Sequence, residues 1–279
     1  MFLDFLFKKK NIKKNKKEGP INVKNRNNST TKIENNQSAV RKGELGEYKI
    51  DIQLSQLPKD YMYLRDIFIK NPKSSTGYSQ IDHVIIAPYG LFVIETKNYQ
   101  GTIYGGKDRK TWLINGKFKM MNPIMQNYGH IQALKSFIEA KYHPYFISVV
   151  SFTKRCTFKI EEELRKISST ELVIYDVELT QFINRKVAVL KLQYPTPLFL
   201  KSEMEMIYNS LVNANITDAA IRKQHIDIIE EKKNITDKKE KENTCIICQK
   251  PVSDKVKSFC LSNKKFQGKI YCYEHQKSL

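Results

Sequence analysis

Hydrophobic and polar positions change rhythm several times along the chain. Before about residue 38 there is none. From Ala39 to Leu54, the apolar residues Val40, Leu45, Tyr48 and Ile52 recur at helical spacing, with Glu44, Glu47 and Asp51 on a neighbouring face, which predicts an amphipathic helix. Gly43 and Gly46 interrupt it. Each costs about 1 kcal/mol relative to alanine inside a helix, so keeping both points to a close backbone approach. The period then shortens to that of strands over Tyr61–Lys70, Gln80–Ala87 and Leu91–Lys97, with a turn at Pro88-Tyr89-Gly90. Asn115-Gly116 between Trp112-Leu113-Ile114 and Lys117-Phe118-Lys119 marks a further hairpin. Asn122-Pro123 reads as an N-cap with proline at the first helical position, opening a helix to about Tyr142, and Tyr145–Phe152 reads as a buried strand. A charged helix (Ile160–Ile167), a strand (Glu171–Tyr175) and a helix after Asp176 extend the same α/β unit. Two helical stretches, Leu198–Val212 and Asp218–Lys233, lead into a charged linker.

Composition narrows the classes. The 279 residues carry 48 Lys+Arg against 29 Asp+Glu, a net charge of +19, which favours polyanions: nucleic acid or an anionic membrane face. Lys- and Asn-rich chains also reach such a charge with no specific partner. No apolar run approaches the roughly 20 residues that span a bilayer. Phe2–Phe7 is too short for a secretory signal, and its basic run follows it rather than precedes it. Between Lys8 and Arg26 there are nine Lys/Arg and one acid, Glu18, so this arm reads as a solvated tether. Its tip, within residues 1–17, could make weak contact with an anionic membrane surface. Five cysteines, an odd count, argue against a disulfide framework and for a reducing compartment.

The informative chemistry lies in Ile81-Asp82-His83-Val84 and Leu91-Phe92-Val93-Ile94-Glu95-Thr96-Lys97. Strand alternation puts Glu95 and Lys97 on one face, opposite to Phe92, Ile94 and Thr96. A two- or four-residue loop at the turn sets Asp82 directly across from Glu95, with Cβ atoms about 5 Å apart. A three-residue bulged loop would slip that register by one. Facing carboxylates repel, and a hard divalent cation, Mg²⁺ or Mn²⁺, removes the conflict. Lys97 supplies a positive charge beside them. The plainer reading leaves Asp82 at a strand start and Glu95 and Lys97 facing solvent.

With Gly43-Glu44-Leu45-Gly46-Glu47 before it and Asn122-Pro123, Gln126 and His130 after it, this order of motifs resembles the nuclease-related domain (NERD) family, a branch of the PD-(D/E)XK nuclease superfamily. The resemblance runs from about Ala39 to Thr157. It implies an α/β restriction-endonuclease-like core, a mixed central sheet flanked by helices, and metal-dependent phosphodiester hydrolysis. Asp82 and Glu95 match the family's metal-binding acids, Lys97 its catalytic lysine, and Glu47 an additional acid approaching the metal, with Glu44 as a weaker alternative. Gln126 matches a glutamine of exonuclease-type relatives. His130 stands where a tyrosine is common, and reads first as a packed histidine. Ile81 replaces the proline of the superfamily's name.

Near the C-terminus, Cys245-Ile246-Ile247-Cys248 and Cys272-Tyr273-Glu274-His275 are separated by 23 residues. C-x₂-C with C-x₂-H closes a tetrahedral Zn²⁺ site, and a tail this short needs such a staple. Cys260 could replace His275 as fourth ligand. Lys255, Lys257, Lys264, Lys265 and Lys269 around it favour nucleic acid. Cys156 reads as a small buried apolar residue.

The chain thus divides into a basic arm (1–38), a nuclease-related domain (39–157), an α/β to helical extension (158–229), a charged linker (230–243) and a small zinc-binding module (244–279). The expected function is metal-dependent hydrolysis of DNA, with arm and module aiding binding. Two alternatives stand beside it: a nucleic-acid-binding accessory protein that no longer cuts, and a membrane-apposed protein-interaction module. The expected location is cytoplasmic, or peripheral to the inner face of the membrane.

Overall fold

Runs of Ile, Val and Phe separated by short turns build the centre of the molecule. The computed structural model describes residues 45–278. The arm, Val40, Gly43 and Glu44 lie outside the described residues. Helix α1 covers residues 45–54. The strands are β1 (Met62–Lys70), β2 (Tyr78–Ala87), β3 (Gly90–Lys97), β4 (Gly101–Tyr104), β5 (Thr111–Ile114), β6 (Phe118–Met121), β7 (Phe146–Phe152), β8 (Cys156–Lys159) and β9 (Glu171–Tyr175). The remaining helices are α2 (Pro123–Leu134), α3 (Leu179–Gln193), α4 (Lys201–Ala214), α5 (Ala219–Glu242), α6 (Asp254–Ser262) and α7 (Tyr273–Lys277).

The fold is mixed α/β. Pro88-Tyr89 forms a two-residue turn, so Ala87 pairs with Gly90 and the ladder runs back to His83 opposite Ile94, the register that the turn predicts. β1, β2 and β3 are antiparallel, while β7 and β9 join in parallel, in the order β1-β2-β3-β7-β9. β7 is buried at every position, as a central strand covered on both faces must be. Leu91 and Val93 pack on one side with Ile131 and Leu134 of α2 and Ile207 and Leu211 of α4. Phe92 and Ile94 pack on the other with Ile50 and Leu54 of α1 and Leu179 and Ile183 of α3. A smaller sheet, β6-β5-β4-β8, packs at the carboxyl end of β7, where Trp112 stacks on Phe152.

Three expectations are corrected. The buried face of α1 is Gly46, Ile50 and Leu54, whereas Leu45, Tyr48 and Ile52 are exposed. Glycine carries no hydropathy signal, yet Gly46 allows the closest approach: a Cβ there would lie 3.3 Å from Thr96 Cγ2. Helix α2 stops at Leu134 rather than near Tyr142, and Ile138 is extended. The ring Nε2 of His143 lies 3.1 Å from the Lys135 carbonyl and 2.9 Å from that of Ile138, taking acceptors that a continued helix would use. Ile160–Ile167 holds only a 3₁₀ turn, Glu162–Arg165, because Arg165 donates to Val173 O and pairs with Glu178, pulling the segment onto β9.

Candidate active site and metal centre

Alternation in β1 and β2 slips at one common step. Met62 and Leu64 face the α2 layer, but so do Ile67 and Ile69; in β2, Ile81 faces it together with Val84 and Ile86. A strand's two-residue period cannot give both sets without an irregularity. It lies at Asp66, which has φ of 49°. The β1–β2 pairs pass from Arg65 with His83 to Ile67 with Ile81, leaving Asp66 and Asp82 unpaired. The β2–β3 ladder also ends at His83. Asp82 therefore has no ladder partner on either side.

Its carboxylate turns to β3 instead, where Oδ2 accepts the Thr96 N–H at 2.7 Å. Burial, then the neighbouring charge of Glu95, pushes the Asp82 carboxyl well above the ordinary carboxylate range, and Glu47 adds to this. Glu95 is only 3% exposed. Its Oε1 accepts Lys97 Nζ at 2.6 Å and Gln126 Nε2 at 2.7 Å, and Gln126 Oε1 accepts Lys97 Nζ at 2.9 Å. Burial alone would raise Glu95, but Lys97 and His130 outweigh it and hold the carboxyl down. Burial likewise works against the Lys97 ammonium, and the Glu95 charge overcomes it and raises the lysine.

The second oxygen of Glu95 is the anomaly. Oε2 and His130 Nδ1 are 3.3 Å apart, yet both are buried and neither has a hydrogen-bond partner. A carboxylate oxygen that faces only His130, beside a second, half-buried acid, fits a hard cation, which oxygen ligands suit. The fit has a limit. Among the described residues, Asp82, Glu95 and Glu47 do not bring their oxygens within 4.8 Å of one another as a set. Glu47 is exposed on α1. One turn after it, Asp51 accepts Arg65 Nη1 at 2.7 Å and lies 3.3 Å from His83 Nε2.

The structure thus brings together Asp82, Glu95, Lys97 and Gln126, with His130 against Glu95 rather than merely packed. Sequence reasoning missed Arg65, which nothing in its neighbourhood singles out. It also passed over Asp51 as a helix anchor, although the four-residue spacing from Glu47 was visible.

The cysteine module forms a second centre. Cys245, Cys248, Cys272 and His275 offer donor atoms all within 4.8 Å of one another. Cys248 Sγ lies 3.7 Å from Cys272 Sγ, and His275 Nδ1 lies 3.5 Å from Cys245 Sγ and 3.2 Å from Cys272 Sγ. Tetrahedral zinc with 2.3 Å thiolate bonds sets sulfurs about 3.8 Å apart, so the donor set fits Zn²⁺. Burial pushes the Cys245 thiol up, but the N–H groups of Cys248, Cys272 and Ile247 outweigh it and hold it at about 6. Cys260 stands outside the set, its Sγ 3.4 Å from Tyr271 N and 3.2 Å from Gln276 Nε2. Cys156 is buried, as expected of a small apolar residue.

No described helix is long and apolar enough to cross a membrane. Residues 42–153 match the family model described as nuclease-related domain. No solved structure matches the chain significantly. An uncharacterized protein of Bacillus anthracis is 33% identical over 195 residues, 68% of this chain and 85% of that protein. On the motif geometry, the matching domain and this relative, the chain belongs to the nuclease-related domain (NERD) family.

Proposed function

We propose that the protein is a divalent-cation-dependent nuclease that hydrolyses DNA phosphodiester bonds, and that Zn²⁺ holds its C-terminal module. The observation that carries this reading is Asp82, kept out of both ladders and tied to Thr96 near Glu95, whose second oxygen faces only His130. Asp82 and Glu95 would hold Mg²⁺ or Mn²⁺, with Glu47 and the Thr96 carbonyl assisting. Such a cation supplies Lewis-acid charge for phosphoryl oxygens and acidifies water.

The chain's own residues would do the rest. Lys97, once its pair with Glu95 loosens, orients the attacking water or steadies the added negative charge at phosphorus. Gln126 holds both ends of the Lys97–Glu95 pair, so it keeps the ammonium in reach. The water oxygen bonds to phosphorus and gives up a proton, while the bridging oxygen leaves with its electron pair and takes up a proton, so the step balances. A net charge of +19 favours salt-sensitive, sequence-independent binding of the polyanion. The three thiolates of the Cys245, Cys248, Cys272 and His275 set require reduced cysteines, consistent with a cytoplasmic setting. Membrane contact through residues 1–17 falls outside the described residues.

One observation favours a second reading, a nucleic-acid-binding protein that does not cut: Glu95 Oε1 is already held by Lys97 and Gln126, and the three acids do not converge. Linear and circular DNA incubated with Mg²⁺, Mn²⁺ or EDTA, beside a Glu95→Ala control, separates the two. Metal-dependent degradation lost in the control supports the nuclease. Retained binding without degradation supports the second reading.

A further inference from the structure

We propose that Arg222, at the start of α5, is a positioning residue for Asp82 and acts through the backbone of Asp66. The inference rests on the reading of Asp82 as a metal ligand. Arg222 lies beyond the 42–153 stretch that matches the family model, and 156 residues from Asp66.

The argument starts from the slip in β1. A left-handed backbone is disfavoured for any residue with a side chain, although aspartate tolerates it better than most. Asp66 adopts it inside a strand, where a regular ladder would otherwise pair it with Asp82. Something must hold it there. Arg222 Nη1 donates to Asp66 Oδ2 at 2.7 Å, and Nη2 donates to the Asp66 carbonyl at 3.0 Å. The same guanidinium reaches Asn215 Oδ1 at 3.1 Å and, through Nε, the Ile216 carbonyl at 2.8 Å, and it lies over the Phe68 ring. A planar fork with this many fixed acceptors has little freedom to move. On β2, Gln80 Nε2 donates to Asp66 Oδ1 at 2.8 Å, so the turn is gripped from both flanks.

The consequence falls on Asp82. With Asp66 left-handed, Asp82 has no partner in β1 and its carboxylate is free to take the Thr96 N–H. Without Arg222, the left-handed turn at Asp66 is held only by Gln80 and by the packing of Ile67, Ile69 and Ile81, so it loosens and the Asp82 carboxylate spends less time on the Thr96 N–H.

The Thr96 amide is therefore the reporter. Hydrogen exchange on the full chain would compare Thr96 with Val149, a core amide on β7 that registers global opening. In Arg222→Ala, Thr96 should exchange roughly tenfold faster or more relative to Val149. Mn²⁺ affinity by calorimetry should fall about tenfold, with zinc content unchanged. Glycine adopts the left-handed turn with no need of support, so adding Asp66→Gly to Arg222→Ala should restore both readouts. An unchanged Thr96 ratio in Arg222→Ala would overturn the proposal. Faster exchange that Asp66→Gly does not restore would also overturn it, since Arg222 would then serve only to anchor α5. If the unaltered chain binds no Mn²⁺ that Glu95→Ala abolishes, the nuclease reading fails, while the Thr96 ratio still decides the role of Arg222.

Discussion

The Asp51 carboxylate lies 3.3 Å from Nε2 of His83, and His83 directly follows the unpaired Asp82. Burial is the main influence on the His83 ring and lowers its proton affinity, so at pH 7 the ring is neutral and donates to Asp51. His83 Nδ1 already lacks a partner. Asp51→Ala would leave both nitrogens of a buried imidazole unsatisfied and should cost roughly 1–3 kcal/mol in urea unfolding. A loss well below that range would mean that the contact contributes little.

Lys97→Ala and Glu95→Gln should each reduce the cleavage rate by roughly 10²–10³-fold, while DNA affinity measured in EDTA stays close to that of the parent. Gln126→Ala touches the chemistry only through its neighbours and should lose about 10–100-fold. Single-turnover cleavage beside filter binding checks the order. Equal rates for all three variants and the parent would discard the site.

The half-buried Asp82 gives a pH signature. Its folded proton affinity is raised, by burial first and the Glu95 charge second. The folded state therefore holds the proton where the unfolded chain releases it, and stability declines as pH rises from the unfolded value near 3.8 through the folded one. Asp82→Asn removes that cost. Without metal it should melt higher than the parent at pH 7, and the two curves should converge below the unfolded value. Added Mn²⁺ should raise the melting temperature of the parent only.

Zinc analysis should find about one ion per chain, lost in Cys248→Ser and retained in Cys260→Ser. If Zn²⁺ closes the small core of Cys245, Cys260, Phe266, Tyr271 and Cys272 as proposed, chelation should expose the amides of residues 244–278 to exchange. Protection that survives chelation would show that the module folds without metal.

Asn122 explains the Asn-Pro pair that opens α2. Its Oδ1 accepts from Ile124 N and Met125 N, and its Nδ2 lies within 3.3 Å of the carbonyls of Gly106, Lys107 and Arg109. One fully buried side chain thus caps the helix bearing Gln126 and pins the loop before β5. Asn122→Ala should cost roughly 2–4 kcal/mol in unfolding.

The sequence made the hairpin register legible because a two-residue turn leaves one pairing open to it. Glu95 and Lys97 were legible because charged side chains interrupt an apolar strand there, and Gln126 only through the family resemblance. The face of α1 was not. Leu45, Tyr48 and Ile52 are the obvious apolar stripe, but Gly46 buries more closely than any of them. The placement of His130 depends on a contact with β3 that helix periodicity cannot report. The support for Asp66 was out of reach, because its partner lies 156 residues away on a helix whose local pattern says only that it is charged.

β1 is the outer strand of the main sheet, and an outer strand invites pairing with another molecule. Here the invitation is withdrawn at the centre of the strand. Phe68 gives its N–H to Asn215 Oδ1 and its carbonyl to the Ile216 N–H, and two residues earlier the turn at Asp66 throws the backbone out of line. The irregularity that leaves Asp82 unpaired therefore also denies a second chain a straight edge to add to, so solubility and the proposed chemistry draw on one turn of backbone.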